Sequence, residues 1–199
     1  MSWEDAWREG RTRWDAGDSP PVLKRLVDEG ALPRGRALVP GCGTGYDLLT
    51  LAPVMDEVVG VDLAPTAKRA FDDFLVDRKL DRDRVQYLVE DFFAFSPGSP
   101  FDVMWDYTFL CAIEPEWRGR WAERVDTLLA PDGELITLIF PVVDTPMNPG
   151  GPPHPMSPDL VRGLLEPRWE ATHLEPVTTS HPARTGKEWL GRWRRRGTG

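Results

Sequence analysis

Residues 37–62 read ALVPGCGTGYDLLTLAPVMDEVVGVD, and this stretch narrows the possible folds more than any other in the chain. A short apolar run at 37–39 meets Gly41-Cys42-Gly43-Thr44-Gly45, a segment of helical character follows, and a second apolar run at 58–61 ends on Asp62. A strand, a glycine loop opening a helix, and an acid about 20 positions further on make a cradle for a nucleotide-like cofactor. Glycine lets the backbone approach a ligand closely, and the first turn of a helix presents N–H groups that lack intrahelical partners. Asp62, at the tip of the second strand, can accept hydrogen bonds from both hydroxyls of a ribose. A ligand-free turn would use the same glycines; Asp62 is what favours the cofactor.

Spacing narrows the cofactor. Gly41, Gly43 and Gly45 form G-x-G-x-G, and the third glycine of a dinucleotide G-x-G-x-x-G would fall at Tyr46. A tyrosine there disfavours tight packing beneath a pyrophosphate. One ribose, an adenine and a carboxylated tail fit better, which points to S-adenosylmethionine.

The rest of the chain repeats the strand–helix alternation. Strands are expected at 37–40, 57–62, 85–90, 101–106 and 134–140, with helices at 44–52, 64–79 and 115–129, the last followed by a Pro131-Asp132-Gly133 turn. Two further strands, 169–175 and 188–194, follow a short helix at 158–165. Such alternation implies a mostly parallel sheet of seven strands with helices on both faces. Ser19 reads as an N-cap with Pro20 at the first helical position of a helix running to Asp28, ended by Gly30. Residues 144–158, with six prolines, two glycines and one histidine, form a rigid loop and a lid candidate. In residues 1–18, Trp3, Trp7 and Trp14 carry too much aromatic surface for water. They either pack on the domain or cover a ligand, and the two are compatible.

Composition excludes other classes. A chain of 199 residues is expected to be one domain, 1–199, and nine Trp with eight Phe argue against disorder. A net charge of −8 disfavours a phosphate-binding surface for nucleic acid. Arg192, Arg194, Arg195 and Arg196 are the exception, read as a solvated, fraying end or, less favourably, an RNA contact. No apolar run reaches transmembrane length and the first ten residues lack a signal-peptide core, so a cytoplasmic location is expected. Cys42 and Cys111 show no metal-ligand spacing with the three histidines, so no metal is expected and each cysteine reads as a buried small residue.

In a doubly wound sheet the ligand lies across the carboxyl ends of the strands. Those ends carry Asp62, then Asp91-Phe92, then Asp106-Tyr107. Asp91 can accept from an adenine amino group, Phe92 can pack on the ring, and Tyr107 opens the loop nearest the reacting sulfonium.

Several motifs together resemble the thiopurine S-methyltransferase family, in its thiol, thiocyanate and halide methyltransferase branch. They are W-E-D-A-W…R-W-D-A-G, G-R-A-L-V-P-G-C-G-T-G-Y-D, E-D-F-F, F-D-V-M-W-D-Y-T-F-L-C-A-I, P-D-G-E-L-I-T-L-I-F-P, G-G-P-P and R-T-G-K-E-W-L-G-R-W, spread over almost the whole chain. The resemblance implies a Rossmann-like class I S-adenosylmethionine-dependent methyltransferase. It implies that Trp3, Trp7 and Trp14 close over the cofactor, which Gly41, Gly43, Asp62, Asp91, Phe92 and Tyr107 bind. Arg120 falls where relatives place a substrate-side arginine, although a surface cation on a helix reads the same way. The loop around His154 departs from the pattern, and His154 has no assigned role.

The chemistry implied is an in-line displacement at a methyl group, in which a sulfur or other soft anion attacks and opposite charges vanish. A dry, aromatic pocket and tight positioning favour it. No His-Asp or Lys-Tyr pair can be placed as a base. The acceptor is therefore expected to enter as a thiolate, at a rate rising toward its own pKa. A small thiol or sulfide is the expected partner of a monomeric enzyme, with Tyr107 and Arg120 at the reaction. A halide or thiocyanate methyltransferase and a non-catalytic cofactor-binding protein remain the alternatives; the charge disfavours a nucleic-acid methyltransferase.

Overall fold

A computed structural model describes residues 2–79 and 83–197. The chain divides into two compact units, Met1–Ser96 and Pro97–Gly199.

In the first unit, β1 (Arg36–Pro40), β2 (Glu57–Asp62) and β3 (Val85–Val89) lie in the order β3-β2-β1. All are parallel, with Leu38 opposite Val59 and Gly60 opposite Tyr87. The near-continuous apolar runs that marked β1 and β2 are what a strand covered on both faces requires; Leu38, Val58 and Val61 are at most 1% exposed. Among the described residues the helices of this unit are α1 (Trp3–Arg8), α2 (Pro21–Asp28), α3 (Tyr46–Leu51) and α4 (Pro65–Arg78). Helix α2 starts one residue later than expected. Pro20 occupies the N-cap and Pro21 the first turn, while the Ser19 hydroxyl is spent on Thr50 Oγ1 at 2.7 Å and caps nothing.

In the second unit, β4 (Phe101–Tyr107) and β5 (Leu129–Ile139) are parallel, while β7 (Trp189–Arg195) runs antiparallel between β5 and β6 (Trp169–Pro176). Helix α5 (Arg118–Leu128) follows a 3₁₀ turn at Pro115–Trp117, and α6 is Pro158–Leu165. The expected turn at Pro131-Asp132-Gly133 lies inside β5. Pairing jumps from Phe101–Leu129 to Val103–Glu134, so these residues bulge out between two stretches of ladder.

The C-terminal arginines are not a fraying end. Arg194 and Arg195 pair in the β6–β7 ladder. Arg192 and Arg194 hold the buried Glu134 at 2.5 and 3.2 Å, Arg195 holds Asp126, and Arg196 lies 3.6 Å from Glu166. Antiparallel pairing and three acids, of which Glu134 is buried, turn a charge run into structure. No helix among the described residues is long and apolar enough to cross a membrane.

Candidate functional site

The first unit builds a pinned cradle. At the end of β1, Gly41 donates to the Val61 carbonyl at 2.7 Å, and the chain turns into α3 through three glycines with positive φ. At Gly45 (φ +79) a Cβ would sit 2.4 Å from the Phe71 ring, so the close helix packing that a dinucleotide fold gets from its third glycine is supplied here, one position before Tyr46. Tyr46 turns outward onto Phe74, ring centroids 5.1 Å apart. Asp62 staples the loop to the strand end: Oδ2 accepts from Gly43 N–H and Oδ1 from Ala64 N–H, both at 2.9 Å. Burial raises the Asp62 carboxyl above its ordinary value, although the two backbone bonds pull it down. Tyr87 donates to the Gly43 carbonyl at 2.8 Å from β3. Past β3, Asp91 Oδ1 accepts from Phe93 N–H at 2.8 Å and Phe92 is 3% exposed.

The N-terminal segment lies against this cradle. The Trp7 indole sits over Gly43, 3.5 Å from where a Cβ would be. Trp14 stacks edge-on against both Trp3 and Trp7, with centroids 5.2 and 5.9 Å apart. Two polar contacts fix the arrangement. Thr44 Oγ1 donates to Asp15 at 2.6 Å. Glu4 accepts from the Thr66 hydroxyl at 2.6 Å and from Thr66 N–H at 3.0 Å. Ala64, the N-cap of α4, offers no side-chain acceptor, so Glu4 caps α4 from a different helix.

The second unit gathers polar groups at the carboxyl end of β4 and β5. Asp106 is 3% exposed, accepts from Leu110 N–H at 3.1 Å and from the Trp121 indole at 2.8 Å, and is pushed up to about 6 by burial. It fixes the turn after β4, where Thr108 adopts φ +67. A β-branched residue in that region marks a site whose surroundings overdetermine the backbone. The Cys111 thiol is buried and pushed up to about 12, chiefly by that burial, so it stays protonated and is no nucleophile. A small cavity is lined by Asp106, Thr108, Cys111, Phe140 and Met156.

Tyr107, expected at the reaction centre, is the middle of a chain. Its hydroxyl donates to Glu188 Oε1 at 2.6 Å and accepts from Arg184, whose guanidinium lies 4.9 Å from the Tyr107 ring and 4.8 Å from Phe140. Arg120 is exposed and stacks on Trp117 at 4.8 Å. On the same helix Arg118 is buried, 7% exposed, with Nε and Nη2 making no hydrogen bond among the described residues. Its charge helps hold down the neighbouring Cys111 thiol. The helical period explains the difference in burial: Trp121, Val125 and Leu128 define the inner face of α5. Arg118 shares that stripe three residues before Trp121, while Arg120 falls beside it. His154 is pinned by its N–H on the Cys111 carbonyl at 2.8 Å, its Nε2 3.6 Å from Glu114.

Sequence reading therefore missed Arg118, Arg184, Glu188 and Thr108. Two of them stand in R-T-G-K-E-W, a motif that carried the resemblance without a role for its acid. Among the described residues no group of three or more His, Cys, Asp or Glu is arranged to hold a metal.

Residues 1–196 match the family model described as Thiopurine S-methyltransferase (TPMT). The Arabidopsis thaliana protein named "Probable thiol methyltransferase 2" is 44% identical over 200 residues, covering 98% of this chain and 85% of the relative. "Thiocyanate methyltransferase 1" of Brassica oleracea is 41% identical over 195 residues, covering 97% and 84%. A solved structure of the Burkholderia thailandensis 1,6-didemethyltoxoflavin-N1-methyltransferase, with bound 1,6-didemethyltoxoflavin and S-adenosylhomocysteine, aligns with a TM-score of 0.72 at 20% identity, over 96% of this chain and 84% of that one. At that identity the likeness carries the fold, which is the Rossmann-like fold of class I S-adenosylmethionine-dependent methyltransferases.

Proposed function

We propose, from the premise that this chain belongs to the thiopurine S-methyltransferase family, that it methylates a small thiol or sulfide. S-adenosylmethionine supplies an electrophilic methyl group on a sulfonium. The cradle suits it: two of the roughly four acceptor directions of the Asp62 carboxylate hold Gly43 and Ala64, leaving two for ribose hydroxyls. Asp91 and the buried Phe92 serve the adenine, Gly41 and Gly43 admit the tail, and the Trp3-Trp7-Trp14 cluster covers the cradle. One family model over residues 1–196 supports a single catalytic domain, which we read as a cytoplasmic monomer acting on small molecules.

The observation that carries the acceptor class is Arg118. A buried guanidinium with Nε and Nη2 unbonded, beside an apolar turn, suits a compact soft anion and leaves an amine or alcohol without a partner. Tyr107, held by Arg184 and Glu188, orients the same end. A second reading, methylation of thiocyanate or halide, draws on the same cation and on the name of the Brassica oleracea relative.

A competition among sulfide, small thiols, aryl thiols, thiocyanate and iodide for labelled cofactor tests both. A sulfur acceptor should lead. An amine or phenol methylated faster than every thiol would refute the assignment, and iodide or thiocyanate far ahead of all thiols would select the second reading.

A further inference from the structure

One carboxylate at the acceptor end has an idle oxygen. Glu188 is 2% exposed; Oε1 accepts from Tyr107, while Oε2 is buried and accepts no hydrogen bond among the described residues. The register pairs Ile139 with Trp189, which puts Glu188 beyond the carboxyl end of β5, where ligands of this fold bind. Other groups nearby are already committed. Asp106 spends one oxygen on Leu110 and the other on Trp121. Cys111 keeps its proton. Tyr107, from β4, is hydrogen-bonded to Glu188, and Arg184, from the 3₁₀ turn at Pro182–Arg184, reaches the same Tyr107 hydroxyl. Burial raises the Tyr107 hydroxyl above its ordinary value, so it remains a donor to Oε1 and does not compete as a base. A buried acid with one oxygen anchored and the other open is suited to a ligand that brings a proton.

We propose that Glu188 Oε2 accepts the S–H proton of a neutral thiol or hydrogen sulfide, so that the protein uses protonated sulfur acceptors directly. The S–H bond breaks and its proton passes to Oε2. The freed sulfur pair forms the new S–CH₃ bond. The methyl–sulfonium bond breaks with its electron pair retained on S-adenosylhomocysteine, and Oε2 returns the proton to solvent after product release. This rests on the reading as an S-methyltransferase, and it divides acceptors by chemistry: thiols need the base, whereas thiocyanate and iodide carry no proton.

The test compares Glu188→Gln with the unaltered protein on a small alkyl thiol and on thiocyanate between about pH 6 and pH 9. The thiol-to-thiocyanate ratio of kcat/KM should fall roughly 100-fold in the variant, the lower end of what a positioned base contributes. The unaltered protein's thiol profile should be flat below the thiol's pKa, while the variant's should climb about tenfold per pH unit toward it. An unchanged ratio, whether both rates fall together or neither falls, overturns the proposal and leaves Glu188 as a positioning residue for Tyr107. A second readout needs no turnover and no variant. With S-adenosylhomocysteine present, a bound aryl thiol should show its thiolate absorbance below its solution pKa; absence of that band, or a climbing thiol profile in the unaltered protein, overturns the proposal even if the variant fails to fold. Lack of turnover with every acceptor would instead refute the S-methyltransferase reading, and the thiolate band would still judge Glu188.

Discussion

Exchanging Asp62 for asparagine separates the duty its carboxylate performs in the fold from the one we propose for it in cofactor binding. Its oxygens hold Gly43 N–H and Ala64 N–H, both at 2.9 Å. An amide has one oxygen, so in either orientation an NH₂ group faces a backbone N–H. Losing one bond to a charged acceptor costs about 1.5–3 kcal/mol, and a stranded donor adds to it. Against this, burial raises the Asp62 carboxyl, so removing the charge recovers part of its desolvation cost. The net for the free protein should therefore sit near the low end, about 2 kcal/mol. For a chain of this size that is a fall in Tm of roughly 4–8 °C.

The second duty, on the reading proposed above, is to hold the ribose. The amide of the Asp62→Asn variant would keep one acceptor for two hydroxyls and no charge, which should weaken S-adenosylhomocysteine binding roughly tenfold or more, about 1.4 kcal/mol. Calorimetry at a temperature where both proteins are folded, with a thermal melt of each alone, reads the two effects separately. A lower Tm with unchanged affinity would show that Asp62 only staples the loop. Unchanged affinity and unchanged Tm would refute the whole account of the cradle.

Three other changes have defined outcomes. Glu4→Gln should speed amide exchange in residues 3–15 with little change in the exchange of β1 and β2. Because Thr66 holds the Glu4 carboxyl below its ordinary 4.5, this docking should be complete above that pH and fade as pH falls through the lowered value. Arg118→Met should depress kcat/KM for anionic acceptors at least tenfold, roughly the scale of one lost charge-assisted bond, while Arg120→Ala should change it less than twofold; steady-state kinetics on thiocyanate would expose the reverse order. Asp106 binds its proton more tightly folded than unfolded, about 6 against 3.8. Urea midpoints should therefore show stability falling relative to Asp106→Asn as pH rises from 3.8 to about 6, by about 3 kcal/mol, and a flat difference would refute the burial assigned to it.

Legibility followed the range of the interactions. The strands β1 and β2, the glycine loop and Asp62 lie within a few tens of residues, and apolar runs, glycines and a terminal acid are local signals. Ser19 misled because a hydroxyl beside two prolines looks like a cap in one dimension, yet Thr50, 31 residues away, takes it. The C-terminal arginines read as solvated because their partners, Glu134 and Asp126, lie 58 and 69 residues back. Arg120 was placed by the resemblance alone; the helical period of Trp121, Val125 and Leu128 puts Arg118, not Arg120, on the buried face of α5. Glu188 stood in a motif that carried the resemblance, but without a role: the Tyr107 that gives it meaning is 81 residues away.

Those long-range polar groups also lower stability where the chemistry needs them. The open positions on Arg118 Nε and Nη2 and on Glu188 Oε2 are buried atoms without hydrogen-bond partners among the described residues, each costing on the order of 1–3 kcal/mol relative to a satisfied group. A core selected for stability alone would replace them with apolar residues of similar volume. Their opposite signs fit one reaction. A sulfur acceptor arrives with a proton to lose and leaves its attack as a neutral thioether, so the site must accept a proton and steady a transient anion, then hold neither. A lone cation would bind thiolates but wait for solvent to ionise them, and a lone carboxylate would repel the anion it had made. On the reading proposed above, Arg118 and Glu188 would divide those two tasks. The division of labour therefore predicts that Arg118→Met combined with Glu188→Gln abolishes selectivity between thiols and thiocyanate; a double variant that keeps thiol preference would refute it.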